Sequence, residues 1–267
     1  ELPPTEEEHF HTYRRVVEAM QGLPVTIRTL DLGADKQSNE TRDDVSVSNP
    51  ALGLRAIRLC LKEPDIFRVQ IRGMLRASAY GQIRILIPML TNLGEASETR
   101  KLIDTELALL RDRGLDLPDV VLGAMIETPA AAILANNFAH YFDFLSIGTN
   151  DLVQYTLAVD RANDSVSHLY DSTHPAILSL ITSIIAAGIK QKTPVSICGE
   201  MAADLQSLPL LLGMGLTEFS MQPGSLLEAK NLIRKLNVNE LKSSVTSLLK
   251  ITDANQFSQQ LNTLMEN

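Results

Sequence analysis

The sequence predicts a parallel α/β fold, and within that class a (β/α)8 barrel. Three observations carry this expectation. Six apolar runs of strand length alternate with helical stretches along the chain. Chemistry-bearing residues stand where several of these runs end: Glu127 after 120–126, Asn150 and Asp151 after 141–147, Cys198 and Glu200 after 194–197. In a barrel, such strand ends build the active mouth. No glycine-rich dinucleotide fingerprint follows the first run, which disfavours the open doubly wound sheet.

The elements follow in order. Residues 5–20 read as a helix, with Thr5 as cap and Glu8 as its capping-box partner. The apolar run 24–32 is the first strand. Residues 33–50, rich in Gly, Asp, Ser and Asn, read as a loop. Asn49-Pro50-Ala51-Leu52-Gly53 turns into a short apolar segment and a helix. Pro64 suits the start of a helix over 64–79. Residues 83–89 form a strand that ends at Pro88. Ile103, Leu107 and Leu110 have helical spacing within 94–114, and Gly114 stops that helix. Strand 120–126 leads into helix 129–138, and strand 141–147 into helix 150–157. Helix 174–189, strand 194–197, helix 204–213, a short strand 218–221 and a helix near 225–235 complete the alternation. The tail, 239–265, reads as two short helices. A barrel needs two further strands, expected as irregular segments near 53–57 and 156–160. The domain expectation is a helical lead-in over 1–23, a barrel over 24–235 and a helical tail over 236–267 packed on it.

With 267 residues, 45% of them hydrophobic and 21% charged, the chain can bury one large core. A net charge of −8 argues against general binding to nucleic acid or an anionic membrane. It leaves room for a local basic pocket made by Arg28, Arg55, Arg76 and Arg161. Two cysteines are too few for a disulfide framework, which favours a reducing, cytoplasmic setting. No apolar run is long enough to span a membrane, and nothing at the start reads as a secretory signal. The chain opens at Glu1 without a Met, which suggests a piece cut from a longer protein.

Candidate chemistry is weighed against plainer roles. Glu127 and Asp151 could share a magnesium ion, which takes one or two carboxylates and keeps positions for substrate oxygens and water. They could equally cap the helices that follow them. Arg28, Arg55, Arg76 and Arg161 carry guanidinium forks that match phosphate oxygens, and surface ion pairing is the alternative for each. Arg161 stands out by its closeness to Asn150 and Asp151. Cys198 could give or take a proton if its pKa suits the task; a small buried hydrophobe is the alternative, and Cys60 between Leu59 and Leu61 fits that role well. His140, His168 and His174 sit in no nucleophile pattern, and no cluster argues for zinc. Met214 and Met221 read as core.

Taken together the motifs resemble a known family. The stretch 26–36, the stretch 49–58 with Leu54-Arg55-Ala56, and Leu75-Arg76-Ala77-Ser78-Ala79-Tyr80-Gly81 resemble the barrel of Enzyme I of the bacterial phosphotransferase system. The stretches 125–132, 146–161 and 197–221 are similar to it as well, so the resemblance runs from Pro4 to about residue 235. It implies a phosphoenolpyruvate-binding (β/α)8 barrel with magnesium as cofactor. Carried over residue by residue, it implies that Arg28, Arg55 and Arg161 hold the phosphate, Asn150 orients it and Arg76 lines the pocket. Glu127 and Asp151 would bind magnesium, and Cys198 would protonate the enolate to give pyruvate. The family's accepting histidine lies in a Gly-Gly-x-x-Ser-His motif of a separate N-terminal domain, and none of the five histidines here sits in such a motif. The implied partners are the histidine-containing phosphocarrier protein, through that domain, and a second copy of the barrel in a homodimer.

The chain departs from the family at Ala34, where a second glycine is usual, and along 37–48, which puts a role for Lys36 in doubt. The rival readings are the barrels of pyruvate phosphate dikinase or phosphoenolpyruvate synthase, the nitrogen-regulatory Enzyme I paralogue, and a regulatory module that binds without turnover. The stretch from Gln154 to Arg161 follows Enzyme I rather than the dikinase and synthase, and a complete set of arginines, carboxylates and thiol speaks against a pure binder.

Overall fold

In a computed structural model of the chain, residues 3–32 and 50–266 are described. The loop expected over 33–50, with Ala34 and Lys36, lies outside them except for Pro50. The chain divides into two compact units, residues 1–125 and 126–267.

The first unit opens with α1 (Glu6–Ala19). The Thr5 hydroxyl accepts from the Glu8 N–H at 3.3 Å, and the Glu8 carboxylate accepts from the Thr5 N–H at 2.8 Å. The expected capping box is therefore present, with two orphan donors satisfied. Strands β1 (Val25–Arg28), β2 (Ile83–Ile87) and β3 (Val121–Ile126) pair in parallel, with Arg28 beside Leu86 and Ile87 beside Ala124. Helices α2 (Ala56–Lys62), α3 (Pro64–Ala77) and α4 (Leu93–Asp112) connect them. Buried Phe67, Ile71, Met74 and Leu75 of α3 and Ile103, Leu107 and Leu110 of α4 contribute to the core, as their spacing predicts. Gln70 ties three elements together: its Oε1 accepts from the Leu30 N–H at 2.9 Å, and its Nε2 donates to the Tyr13 hydroxyl at 3.1 Å. Glu106, 3% exposed at its side chain, is held by Arg72 at 2.6 Å and Arg68 at 3.2 Å.

The second unit contains α5 (Pro129–Ile133), α6 (Ala135–Tyr141), β4 (Phe144–Gly148), α7 (Thr149–Leu157), α8 (Pro175–Gln191), β5 (Val195–Cys198) and α9 (Glu200–Ala203). It continues with α10 (Ser207–Met214), β6 (Glu218–Phe219), α11 (Leu226–Ile233), α12 (Val238–Leu248) and α13 (Ala254–Glu266). β4, β5 and β6 pair in parallel, with Gly148 beside Cys198 and Ile197 beside Phe219. Every residue of β4 is buried, as a central parallel strand covered on both faces should be. Tail helix α12 packs on α10 where Gly213 faces Val245, and any side chain at 213 would collide with it.

The described strands thus make a parallel α/β arrangement, but the two irregular strands do not form. Over 53–57 only Arg55 makes a single bridge, and Ala56 already begins α2. Residues 156–160 hold the end of α7, which Ala158 closes in the left-handed region at φ 55°. A chain that turns this way after a helix cannot also run extended there. The helix expected over 129–138 is two, broken at Leu134. α9 also precedes the helix expected over 204–213, with Asp204 accepting from the Ser207 N–H at 3.1 Å between them.

Candidate active site

In the first unit, the exit of β1 carries a charged knot. Arg28 donates to Asp31 at 2.9 Å, and Arg55 donates to the other oxygen of the same carboxylate at 2.8 and 3.2 Å. Asp31 is 5% exposed at its side chain and Arg55 16%, while Arg28 is half-exposed. One carboxylate between two guanidiniums leaves net positive charge, with each fork held at a defined angle. The Arg28 and Arg55 expectations therefore meet in space, through Asp31. Beside them the hydroxyl of Thr29, 2% exposed, has no hydrogen-bond partner among the described residues.

Arg76 is placed elsewhere. It lies in the last turn of α3, which leads through residues 78–82 into the start of β2 rather than to a strand exit. It donates to Glu6 at 2.7 Å and to Glu7 at 2.5 Å, and its guanidinium stands 4.3 Å above the Phe10 ring. These contacts fasten α1 to α3.

In the second unit, chemistry gathers where β4 and β5 end. Cys198 is the last residue of β5, and its S–H donates to the Ile147 carbonyl at 3.4 Å. The Ser146 hydroxyl, on a residue 4% exposed, donates to the Cys198 sulfur at 3.8 Å. Thr149, at the start of α7, donates to the Cys198 carbonyl at 2.9 Å. Asn150 Oδ1 accepts from the Glu200 N–H at 3.0 Å, so the group it offers a ligand is its Nδ2 amide. Gly199 makes this closeness possible. It has φ +93°, and a Cβ there would stand 2.8 Å from Asn150 Oδ1 and closer still to Thr149 Oγ1. Only glycine fits both the dihedral and the space.

Asp151 lies in the first turn of α7, a helix whose start has no side-chain cap. The N-terminal amides there favour an anion. Glu127 follows β3 and is 2% exposed. The capping of α5 is done by Thr128, whose hydroxyl accepts from the Ala131 N–H at 3.2 Å, so α5 does not rely on Glu127 as its cap. Arg161 follows α7, and its backbone N–H donates to Gln154 Oε1 at 3.3 Å.

Tyr170 joins this group and was not foreseen from the sequence. Its hydroxyl donates to the Asn150 carbonyl at 3.3 Å. Burial first, then the charge of Glu200, push the phenol up to about 12, with Asp151 adding to the rise and Arg161 opposing it. The one signal that could have found it is its nine-residue distance from Arg161 in a turn that folds back on α7. Ser146 was quoted in the motif but given no role.

The other expectations fall as follows. Cys60 is buried and burial pushes its thiol up to about 12, so it is a core residue. His174 caps α8, its Nδ1 accepting from the Ala176 N–H at 3.2 Å. Met214 and Met221 are only partly buried. A cavity of about 790 Å³ between α12 and α13, lined by Lys235, Glu240, Ser244 and Gln260 among others, touches none of the predicted site residues.

Fold and site define a class: a parallel α/β protein with a thiol, an amide, carboxylates and guanidiniums gathered where its strands end. Residues 1–238 match the family described as PEP-utilising enzyme, PEP-binding domain, and the chain belongs to that family. It is 49% identical over 94% of its length to a phosphoenolpyruvate-protein phosphotransferase of Cupriavidus necator, of which it covers 43%. It is 48% identical over 90% to one of Staphylococcus carnosus, covering 42% of it, and 44% identical over 95% to one of Priestia megaterium, covering 44% of it. The chain thus spans less than half the length of these relatives. Among solved structures, a citrate lyase from Burkholderia xenovorans LB400 superposes with a TM-score of 0.49 at 18% identity, covering 74% of this chain and 68% of that one.

Proposed function

We propose that this chain is the phosphoenolpyruvate-binding part of a phosphoenolpyruvate–protein phosphotransferase, Enzyme I of the phosphotransferase system. The observation that carries the reading is the group at the ends of β4 and β5. There a thiol, an amide and a carboxylate meet, with a guanidinium close by, in a chain whose relatives bear that name. In this reading the strands belong to a (β/α)8 barrel of the phosphoenolpyruvate/pyruvate type.

Arg28, Arg55 and Arg161 bind phosphoryl oxygens, and the Asn150 amide orients the group. Phosphoryl transfer asks a protein mainly for positioning and charge neutralisation, which these residues supply. Glu127 and Asp151 would hold magnesium. They fit it in kind: both are hard oxygen donors, and magnesium takes one or two carboxylates together with water and substrate oxygens. When bound, the ion offsets negative charge on the phosphoryl and enolate oxygens. Arg76 is assigned to fastening α1 and not to the ligand. The phosphoryl group leaves for a histidine on an N-terminal domain outside this chain, and from there reaches the histidine-containing phosphocarrier protein. The enolate left behind takes the Cys198 proton at its methylene carbon and becomes pyruvate.

The protein works in the cytoplasm in this reading, and no described helix is long and apolar enough to cross a membrane. The barrel pairs with a second copy as a homodimer, and a monomeric mass at micromolar concentration would count against that. The test of the chemistry is exchange of pyruvate methyl protons with deuterated water, followed by NMR with magnesium present. The chain should catalyse it, and Cys198→Ala should abolish it. Equal exchange by both would end the assignment of Cys198 as the acid.

A further inference from the structure

Deepening the reading in which Cys198 is the acid, we propose that Ser146 is a positioning residue that stabilises the Cys198 thiolate left after protonation of the enolate. Ser146 stands on β4 beside β5, and its hydroxyl donates to the Cys198 sulfur at 3.8 Å. A hydroxyl buried to 4% exposure has few other partners, and here it is aimed at the thiol. In the neutral thiol the S–H points to the Ile147 carbonyl at 3.4 Å. The two contacts divide the sulfur's roles, as donor to a backbone acceptor and as acceptor from a side-chain donor.

The proton balance shows why this matters. The S–H bond breaks and a C–H bond forms at the methylene carbon of the enolate. The enolate electron pair closes to the carbonyl of pyruvate, and the negative charge passes to sulfur. A carbonyl facing a thiolate repels it, whereas an O–H facing it forms a charge-assisted hydrogen bond. Ser146 therefore strengthens its contact as the proton leaves, which favours the acid step and lowers the thiol pKa. A proton from water then restores the thiol.

The ionisable groups on the elements around β5 are Glu218 on β6, Asp151 on α7, Lys190 on α8 and Glu200 on α9, with Tyr170 feeling the charges of Glu200, Arg161 and Asp151. Ser146→Ala removes none of them, so a changed thiol pKa reads the hydroxyl alone. Cys60 is buried, which pushes its thiol up to about 12, and its alkylation is read on a separate peptide.

The experiment is the pH profile of Cys198 alkylation by iodoacetamide, followed by peptide mass spectrometry. Ser146→Ala should move the midpoint up by about one pH unit, the scale of one charge-assisted hydrogen bond. Ser146→Thr, which keeps a hydroxyl, should move it back toward the starting value. A hydroxyl that merely packs would leave the midpoint where it was, and an unchanged midpoint in Ser146→Ala overturns the proposal. Deuterium exchange into pyruvate separates the two claims. Exchange that survives Cys198→Ala removes the acid assignment, while the midpoint shift still reports whether the hydroxyl acts on the thiol.

Discussion

Replacing Gly199 with Ala tests whether the meeting of β5 and α7 is as tight as it looks. The backbone there, φ +93° and ψ −173°, lies where essentially only glycine goes and costs another residue about 1–3 kcal/mol. The added Cβ would also press on Asn150 Oδ1 at 2.8 Å and on Thr149 Oγ1, for an overpacking cost of about 1–3 kcal/mol. Together the loss should be about 2–6 kcal/mol. Relaxation would push Asn150 off the Glu200 N–H, so the effect reaches the ligand. Urea unfolding followed by circular dichroism should show a lower midpoint, and titration with phosphoenolpyruvate should show affinity reduced at least tenfold. A midpoint and affinity equal to those of the parent chain would refute the geometry at this corner.

Further predictions concern the two charged knots and the buried phenol. Glu106→Ala removes the buried carboxylate shared by Arg68 and Arg72, which keep Asp65 and Glu6 as partners, and should cost about 1–3 kcal/mol in urea unfolding. Arg76→Ala should lower stability by about 1–2 kcal/mol, from partly exposed pairs and a lost cation–π contact, and leave phosphoenolpyruvate affinity unchanged. Arg55→Ala should weaken that affinity strongly. A large affinity loss in Arg76→Ala would return that residue to the pocket. Tyr170 keeps its proton up to about 12 against an ordinary value of 10.0. A raised folded pKa means its stabilising contribution is full below about pH 10 and lost as pH climbs through 12. Tyr170→Phe should flatten the alkaline fall in stability between those values and remove a late-titrating phenol from the absorbance curve.

Much of this was legible in the residues because local rules decided it. Thr5 and Glu8 announce a capping box, Ile103, Leu107 and Leu110 a helix face, and Pro64 a helix start, and each is found. Strand ends marked by Gly148 and Cys198 are real and adjacent. What was not legible depends on contacts distant in sequence. Arg76 looked like its fellow arginines, but only the packing of α1 on α3 reveals that Glu6 and Glu7 claim it. Asp31 gained its role from a partner 24 residues away, and Ser146 from one 52 residues away. Tyr170 returns to Asn150 through a turn that carries no periodicity. The two extra strands were inferred by counting toward a barrel, and the left-handed cap at Ala158 is invisible in an apolar run.

In the proposed function this chain binds phosphoenolpyruvate at its strand exits, with magnesium held by Glu127 and Asp151. Calorimetric titration with phosphoenolpyruvate, with and without magnesium, tests it most directly. Binding should require magnesium and be lost in Glu127→Ala and in Asp151→Ala. Binding indifferent to magnesium and to both substitutions, or no binding under either condition, would contradict it.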